Sequence, residues 1–137
     1  MRRTLRGEAG QTTMLVLGFA LIVVAVAGLA VDGTRAFLFR RSLQNAADSS
    51  ALAGAGELDA GSFYASGGRA TVLAPAQARA VALSWLAKRG LPASAAVAAD
   101  PTGVRVVLRG RVSTSFLAVV GLSAIPVAAE ARAEPVG

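Results

Sequence analysis

The most extended feature of the hydropathy pattern is a run of twenty-one uncharged residues, Gln11–Val31, which Asp32 and Arg35 close. At about 1.5 Å per residue, a helix of this length spans roughly 31 Å, close to the ~30 Å hydrocarbon thickness of a bilayer. Leucine, isoleucine, valine and phenylalanine dominate the run, and each favours insertion into the membrane. The pattern therefore predicts one transmembrane helix over residues 11–31.

Charged residues flank this predicted span on both sides. Three arginines precede it in a basic N-terminus, residues 1–10, and three more follow it within about fifteen residues. The free N-terminal amine tips the count towards a cytoplasmic N-terminus. We interpret Asp32 as a side chain that reaches the interface and pairs with Arg35, rather than as a functional intramembrane acid. The predicted membrane-interface residues are Arg2, Arg3, Arg6, Asp32 and Arg35.

An export signal is the alternative interpretation of the same span. The N-terminal arginines would form its positive region, and two small-x-small sites would allow cleavage after Ala27 or Ala30. The apolar region of a signal peptide usually has about seven to fifteen residues, and this run is longer. The length favours a retained anchor, and the alternative is a small secreted binding protein released by cleavage.

Helical periodicity continues beyond the span, over residues 32–56. No proline interrupts this extension, and apolar or small residues recur at three- and four-residue spacing. Small residues let another backbone approach closely, so this stripe predicts helix packing. The pattern leaves three alternatives open: the stripe packs against the chain's own sheet, packs against another subunit, or lies exposed. The predicted helix-packing residues are Leu43, Ala46, Ala47, Ser50 and Gly54.

A flexible connection rich in glycine and serine, residues 57–74, leads to a small α+β domain, residues 75–137. Pro75 suits the first turn of a second helix, and Gly90 suits its C-terminal cap. Trp85, on the apolar side of this helix, is expected in the core.

The period then changes to two, which is typical of strands. A weak strand over Ala95–Ala99, a turn at residues 100–103, a strong strand over Val104–Val112 and a last strand from Ile125 are predicted, with a helical turn over Ser115–Val120. The fold class is therefore α+β. A transmembrane helix extended into a long helix is followed by a second helix and an antiparallel sheet of about three strands.

Alternation along the strong strand separates its two faces. Valines 104, 106 and 112 and Leu108 are predicted to point inward, and arginines 105, 109 and 111 outward. Glu130 on the last strand is expected opposite one of these arginines, as a cross-strand pair.

The charge balance of fourteen Lys plus Arg against eight Asp plus Glu raises nucleic acid as a partner. The basic residues are scattered along the chain, so we predict no nucleic-acid binding. The absence of cysteine and histidine excludes thiolate chemistry, histidine bases and most transition-metal sites. The carboxylates stand singly, and the hydroxyls of Ser49 and Ser50 have no base beside them. We predict no enzyme activity, no cofactor and no small-molecule substrate.

The N-terminal region, residues 8–56, resembles the TadG-like (TadE/G-like) proteins of Flp, or tight-adherence, pilus assembly. The resemblance rests on the span ending in Ala-Val-Asp-Gly at residues 30–33 and on LQNAADSSALAGA at residues 43–55. It implies a pilin-like long helix in a pseudopilin-like or accessory subunit of the bacterial cytoplasmic membrane. Its C-terminal part would lie outside, and its partners would be the lipid bilayer and other pilus-assembly or secretion subunits. Prepilin processing would need Glu at the fifth position after a glycine, where this chain has Thr12 or Leu15.

Overall fold

A computed structural model describes residues 8–135 of the chain. In chain order its elements are α1 (Glu8–Ala55), α2 (Ala60–Ala65), α3 (Pro75–Arg89), β1 (Ala93–Asp100), β2 (Gly103–Ser113), a short 3₁₀ helix (Leu117–Val120) and β3 (Ala124–Ala133). The predicted α+β fold class, with one long N-terminal helix and a three-stranded antiparallel sheet, is confirmed.

Helix α1 has 48 residues and no proline, so it runs unbroken for about 72 Å. Its two halves have different surroundings. Between Met14 and Leu29 the large apolar side chains are 51–79% exposed, so the chain itself covers very little of this half. Within the described range, α1 is the one helix long and apolar enough to cross a membrane.

The sheet has the strand order β1-β2-β3, and both neighbouring pairs are antiparallel. On β2, Val104, Val106 and Leu108 are buried whereas Arg105 and the other arginines are exposed, so the predicted alternation is confirmed. The weak strand is longer than predicted, because every residue from Ala93 to Asp100 has a partner on β2.

The core lies between the inner face of the sheet and two helices, the C-terminal half of α1 and α3. Gly54 sits where α1 meets α3. A Cβ atom at this position would lie 2.8 Å from the carbonyl oxygen of Ala78 and 3.2 Å from Cγ2 of Val104. The small residues of α1 and α3 therefore bring the two helix backbones close together over the sheet.

Helix α3 begins at Pro75 and ends against Gly90, which adopts a left-handed conformation with φ 58°, as predicted. The prediction that Trp85 is a core residue is wrong. Trp85 is half-buried outside the core, and the Arg89 guanidinium lies 4.4 Å from the centre of its ring. The buried residues of α3 are instead the small Ala78 and Ala82.

The segment of residues 57–74 contains more structure than its composition indicates. It includes α2, capped by Asp59, whose side chain accepts a hydrogen bond from the backbone N–H of Ser62 at 2.7 Å. Leu58 and Leu73 form an isolated antiparallel bridge, and Leu73 is fully buried in the core. This segment thus contributes to the folded unit.

Candidate functional site

The predicted site residues lie on two parts of α1. Asp32 and Arg35 mark the end of its uncovered apolar half, and the five helix-packing residues lie on its C-terminal half. The N-terminal arginines 2, 3 and 6 lie outside the described residues.

The hairpin tip, residues 114–123 between β2 and β3, folds back onto α1 at Asp32. The Asp32 side chain is only 1% exposed. Its Oδ1 accepts the backbone N–H of Ser115 at 2.9 Å, and its Oδ2 accepts those of Phe116 at 2.9 Å and Leu117 at 2.8 Å. These amides precede or begin the 3₁₀ helix, where backbone donors lack partners within the helix. Asp32 therefore caps this helix from another element.

The predicted pairing of Asp32 with Arg35 is wrong. Arg35 donates from Nη1 to the hydroxyl of Ser115 at 2.9 Å, and the ion pairs found among residues 8–135 do not include Asp32. Three converging backbone donors hold the carboxylate, and the guanidinium of Arg35 is directed to the hydroxyl of Ser115. Arg35 instead reinforces the same contact between α1 and the hairpin tip.

Gly28 forms the second contact of the hairpin tip with α1. A Cβ atom at Gly28 would lie 2.5 Å from Cγ of Phe116, so the phenyl ring rests directly against the helix backbone. Gly28 precedes Asp32 by four residues, about 6 Å along the helix axis. The hairpin tip thus covers α1 on both sides of the boundary between its apolar and polar residues.

The hairpin tip closes on itself through its own backbone. The N–H of Leu122 donates to the carbonyl of Leu117 at 3.0 Å, and the N–H of Thr114 donates to that of Ser123 at 3.1 Å. Gly121 turns the chain with φ 90°, a conformation that L side chains rarely adopt. Large apolar side chains of the tip nevertheless remain exposed: Phe116 is 45% exposed, Val119 87%, Val120 72% and Leu122 56%.

Carboxylates of the packed domain are held in local hydrogen bonds. The N–H and hydroxyl of Ser62 lower the pKa of Asp59. The hydroxyl and N–H of Thr102 lower the pKa of Asp100. The hydrogen bond from Arg105, at 2.7 Å, lowers that of Glu130. Each of these carboxylates serves a cap, a turn or a strand pair.

Glu130 forms the predicted cross-strand pair with an outward arginine, Arg105, but it does not lie directly opposite that residue. Its direct partner in the register is Val107, and it reaches Arg105 diagonally, because Arg105 is opposite Arg132. Within the described range, no three carboxylates come together in a group that could hold a metal ion.

The helix-packing stripe faces the chain's own domain. Leu43, Ala46, Ala47 and Ser50 have no exposed surface, and Gly54 is buried at the contact with α3. Of the contacts that the sequence left open, the structure thus adopts the intramolecular one. In the single chain this stripe is not accessible to another subunit.

Sequence reasoning missed the contact of the hairpin tip with Gly28 and Asp32. The sequence does contain a signal for this contact. Ser113–Ala129 is a stretch of seventeen residues without a charge, and it includes the exposed connection between two strands. Connections are normally polar, so an uncharged one with exposed valine and leucine indicates an apolar neighbour.

Comparison with family models matches residues 10–57 to the family described as putative Flp pilus-assembly TadE/G-like proteins. The match covers almost all of α1, including Gly28, Asp32 and the helix-packing stripe. This is the family that the N-terminal region was found to resemble. Comparisons with curated proteins and with solved structures gave no match.

Proposed function

We propose that this chain, whose residues 10–57 are similar to TadE/G-like Flp pilus-assembly proteins, is a membrane-anchored pseudopilin-like or accessory subunit. It would act without enzymatic activity in a Flp/Tad-type, type IVb-like, pilus-assembly or related secretion system. The observation that carries the proposal is the division of α1 into an uncovered apolar half and a half packed into a small domain, within the matched segment.

The uncovered half of α1 supports the anchor. A leucine, isoleucine, valine or phenylalanine near the centre of a span contributes roughly −0.3 to −0.6 kcal/mol to insertion, so the set favours insertion by several kcal/mol. No charged side chain between Glu8 and Asp32 opposes them. Exposed apolar surface of this extent is unfavourable in water and becomes stable when lipid or neighbouring helices cover it.

The packing of the hairpin tip on α1 supports a retained anchor over the secreted alternative. The helix passes through Ala27 and Ala30 without a break, and Phe116 covers Gly28 between them. Cleavage after either alanine would leave the Asp32 cap near a new chain end, where helices fray. An intact α1 keeps the hairpin tip on a rigid support.

Contacts with other subunits would use surfaces of α1 that the domain leaves free. The stripe containing Leu43 is occupied, whereas Phe37, Leu38 and Leu52 on the outer side are 57–65% exposed. Together with the apolar half, these exposed apolar side chains are available to other helices. We place the N-terminus in the cytoplasm and the domain outside the bacterial cytoplasmic membrane.

The test is the mass and membrane fraction of the protein isolated from its own cells. A retained anchor predicts that Gly28 and everything after it stay attached to the N-terminal segment, and that the protein remains in the membrane pellet after alkaline carbonate extraction. A soluble product starting at Gly28 or Val31 would contradict the anchor and favour the secreted alternative.

The assembly role is tested by deleting the chain from its host and counting surface pili or measuring secreted material. We expect a loss that the wild-type chain restores. Complementation with a Lys88→Gln variant, altered at an exposed position of α3, serves as the control and is also expected to restore assembly. Normal assembly in the deletion strain would contradict the role.

A further inference from the structure

The hairpin tip has the side chains of a membrane-contacting loop. Ten residues, 114–123, carry no charge, and four large apolar side chains among them are 45–87% exposed. A water-facing connection between strands is ordinarily rich in polar and turn-forming residues. Here only the two ends of the tip, at Thr114, Ser115 and Ser123, are polar, and they lie on the side of the sheet.

The backbone of the hairpin tip is compatible with a surrounding of low polarity, in which unpaired N–H groups are costly. Three of its amides donate to the Asp32 carboxylate. Four more, those of Thr114, Val119, Gly121 and Leu122, donate to carbonyl oxygens of the same segment. The apolar side chains can therefore move from water into lipid while these backbone N–H groups keep their hydrogen bonds.

The depth of the tip is fixed by its contacts with α1. Phe116 rests against Gly28, three residues inside the end of the uncharged run at Val31, which is about 4.5 Å along the helix. Segments that lie in the interface bury their apolar face roughly 5–10 Å into the boundary between headgroups and acyl chains. The depth of the Phe116 contact is thus close to the shallow end of this range. Arg35, bonded to Ser115, lies on the polar side of the same boundary.

We propose that the hairpin tip inserts into the interfacial layer of the bilayer beside α1, so that the protein contacts lipid at two points. The occupant is lipid because Phe116 of the tip rests on Gly28, within the uncovered apolar half of α1, so the exposed side chains of the tip lie beside a surface already proposed to face lipid. This second contact fixes the depth and the orientation of the domain relative to the membrane. The proposal rests on the proposed anchoring of α1.

The chain contains no cysteine, so a single introduced cysteine gives an unambiguous labelling site. The full chain is reconstituted at a high lipid-to-protein ratio in phosphatidylcholine–phosphatidylglycerol vesicles, with a nitroxide label at Val119→Cys. The collision rates of the label are measured with oxygen, which concentrates in lipid, and with a water-soluble nickel chelate. Val120→Cys is a second site on the tip, and both valines are at least 72% exposed, so their substitution does not disturb packing.

Two matched sites calibrate the measurement. Val23→Cys lies on the apolar half of α1, and Ala98→Cys lies exposed on β1. We expect the ratio of oxygen to nickel collisions at Val119 to exceed that at Ala98 severalfold and to lie below that at Val23, because the tip is interfacial and Val23 lies deeper in the bilayer.

The outcomes separate this proposal from the anchor on which it rests. A lipid-like ratio at Val23 with a water-like ratio at Val119 and Val120 overturns the insertion of the tip and leaves the anchor intact. That result is also the one expected if the tip is reserved for a protein partner. A water-like ratio at Val23 overturns both. Low collision rates with both reagents at Val119 would show that protein covers the tip, and would likewise overturn lipid contact.

Discussion

At the residue scale, Asp32 joins parts of the chain that are far apart in sequence. Its carboxylate accepts hydrogen bonds from residues 83 to 85 positions later. A carboxylate offers two oxygens and no donor, and so it can satisfy three converging N–H groups at once. The sequence placed this residue at the end of the span, but its partners are specified by tertiary structure.

Replacing Asp32 tests this cap. In Asp32→Asn one oxygen becomes an NH₂ group, so whichever way the amide turns, either the backbone donor of Ser115 or those of Phe116 and Leu117 lose their acceptor. We expect hydrogen exchange of at least one of these three amides to accelerate about tenfold or more, measured on the full chain in detergent micelles.

The matched control is Asp48→Asn, also on α1, where the carboxylate accepts a hydrogen bond from the side chain of Gln44 at the surface. This control should leave the exchange of the hairpin tip unchanged. Equal protection in wild type and Asp32→Asn would show that the cap does not hold the tip in place.

At the element scale, the crossing of α1 and α3 depends on side chains being small. The α1 stripe and Ala78 and Ala82 of α3 are buried with almost no exposed surface. The sequence indicated close approach because small residues recurred at helical spacing, but it could not identify the neighbouring backbone. Spacing defines a face, whereas the partner of that face depends on how the whole chain closes.

Gly54→Ala tests this crossing. The new methyl group would lie 2.8 Å from the carbonyl oxygen of Ala78, and a backbone atom yields only if a helix shifts. Overpacking of this kind costs about 1–3 kcal/mol, against a gain of up to ~1 kcal/mol in helix propensity. We expect a net loss of stability in chemical denaturation, followed by the fluorescence of Trp85, the one tryptophan of the chain.

Gly33→Ala is the control on the same helix, because its added Cβ atom meets nothing within 4 Å. It should leave stability unchanged or raise it slightly. If Gly54→Ala were as stable as Gly33→Ala, the close approach of α1 and α3 would not be the feature that requires glycine.

At the scale of the whole molecule, the C-terminal half of α1 is one wall of the domain. Leu43 and the alanines after it close the core on the inner face of the sheet. Loss of one buried leucine side chain costs about 2–5 kcal/mol, a large share of the ~5–15 kcal/mol that stabilises a typical domain. A domain that begins at residue 75, as the sequence pattern suggested, would therefore lack the half of α1 that closes its core.

Two fragments test this dependence on α1. Residues 57–137, which lack α1, should be unfolded, whereas residues 32–137, which keep the half of α1 that packs into the core, should fold. Dispersion of the amide resonances and near-ultraviolet circular dichroism distinguish the two states. A folded fragment 57–137 would show that the sheet and α3 close a core without α1.

The sequence by itself determined the features that depend on neighbouring residues. The uncharged run, the unbroken helix, the Pro75 start and Gly90 end of α3, and the alternation along β2 are all local in origin. Periodicity and helix caps depend on residues only a few positions apart, so they can be recognised in the amino-acid sequence without knowing the fold.

Only the tertiary structure decided what covers the small-residue stripe, why Trp85 lies outside the core, and where the hairpin tip rests. Each of these results depends on residues distant in sequence that meet when the sheet closes onto α1. The hydrophobic effect, which drives that closure, is non-directional and does not specify which residues come into contact. Shape and hydrogen-bond geometry, as at Gly28 and Asp32, select them.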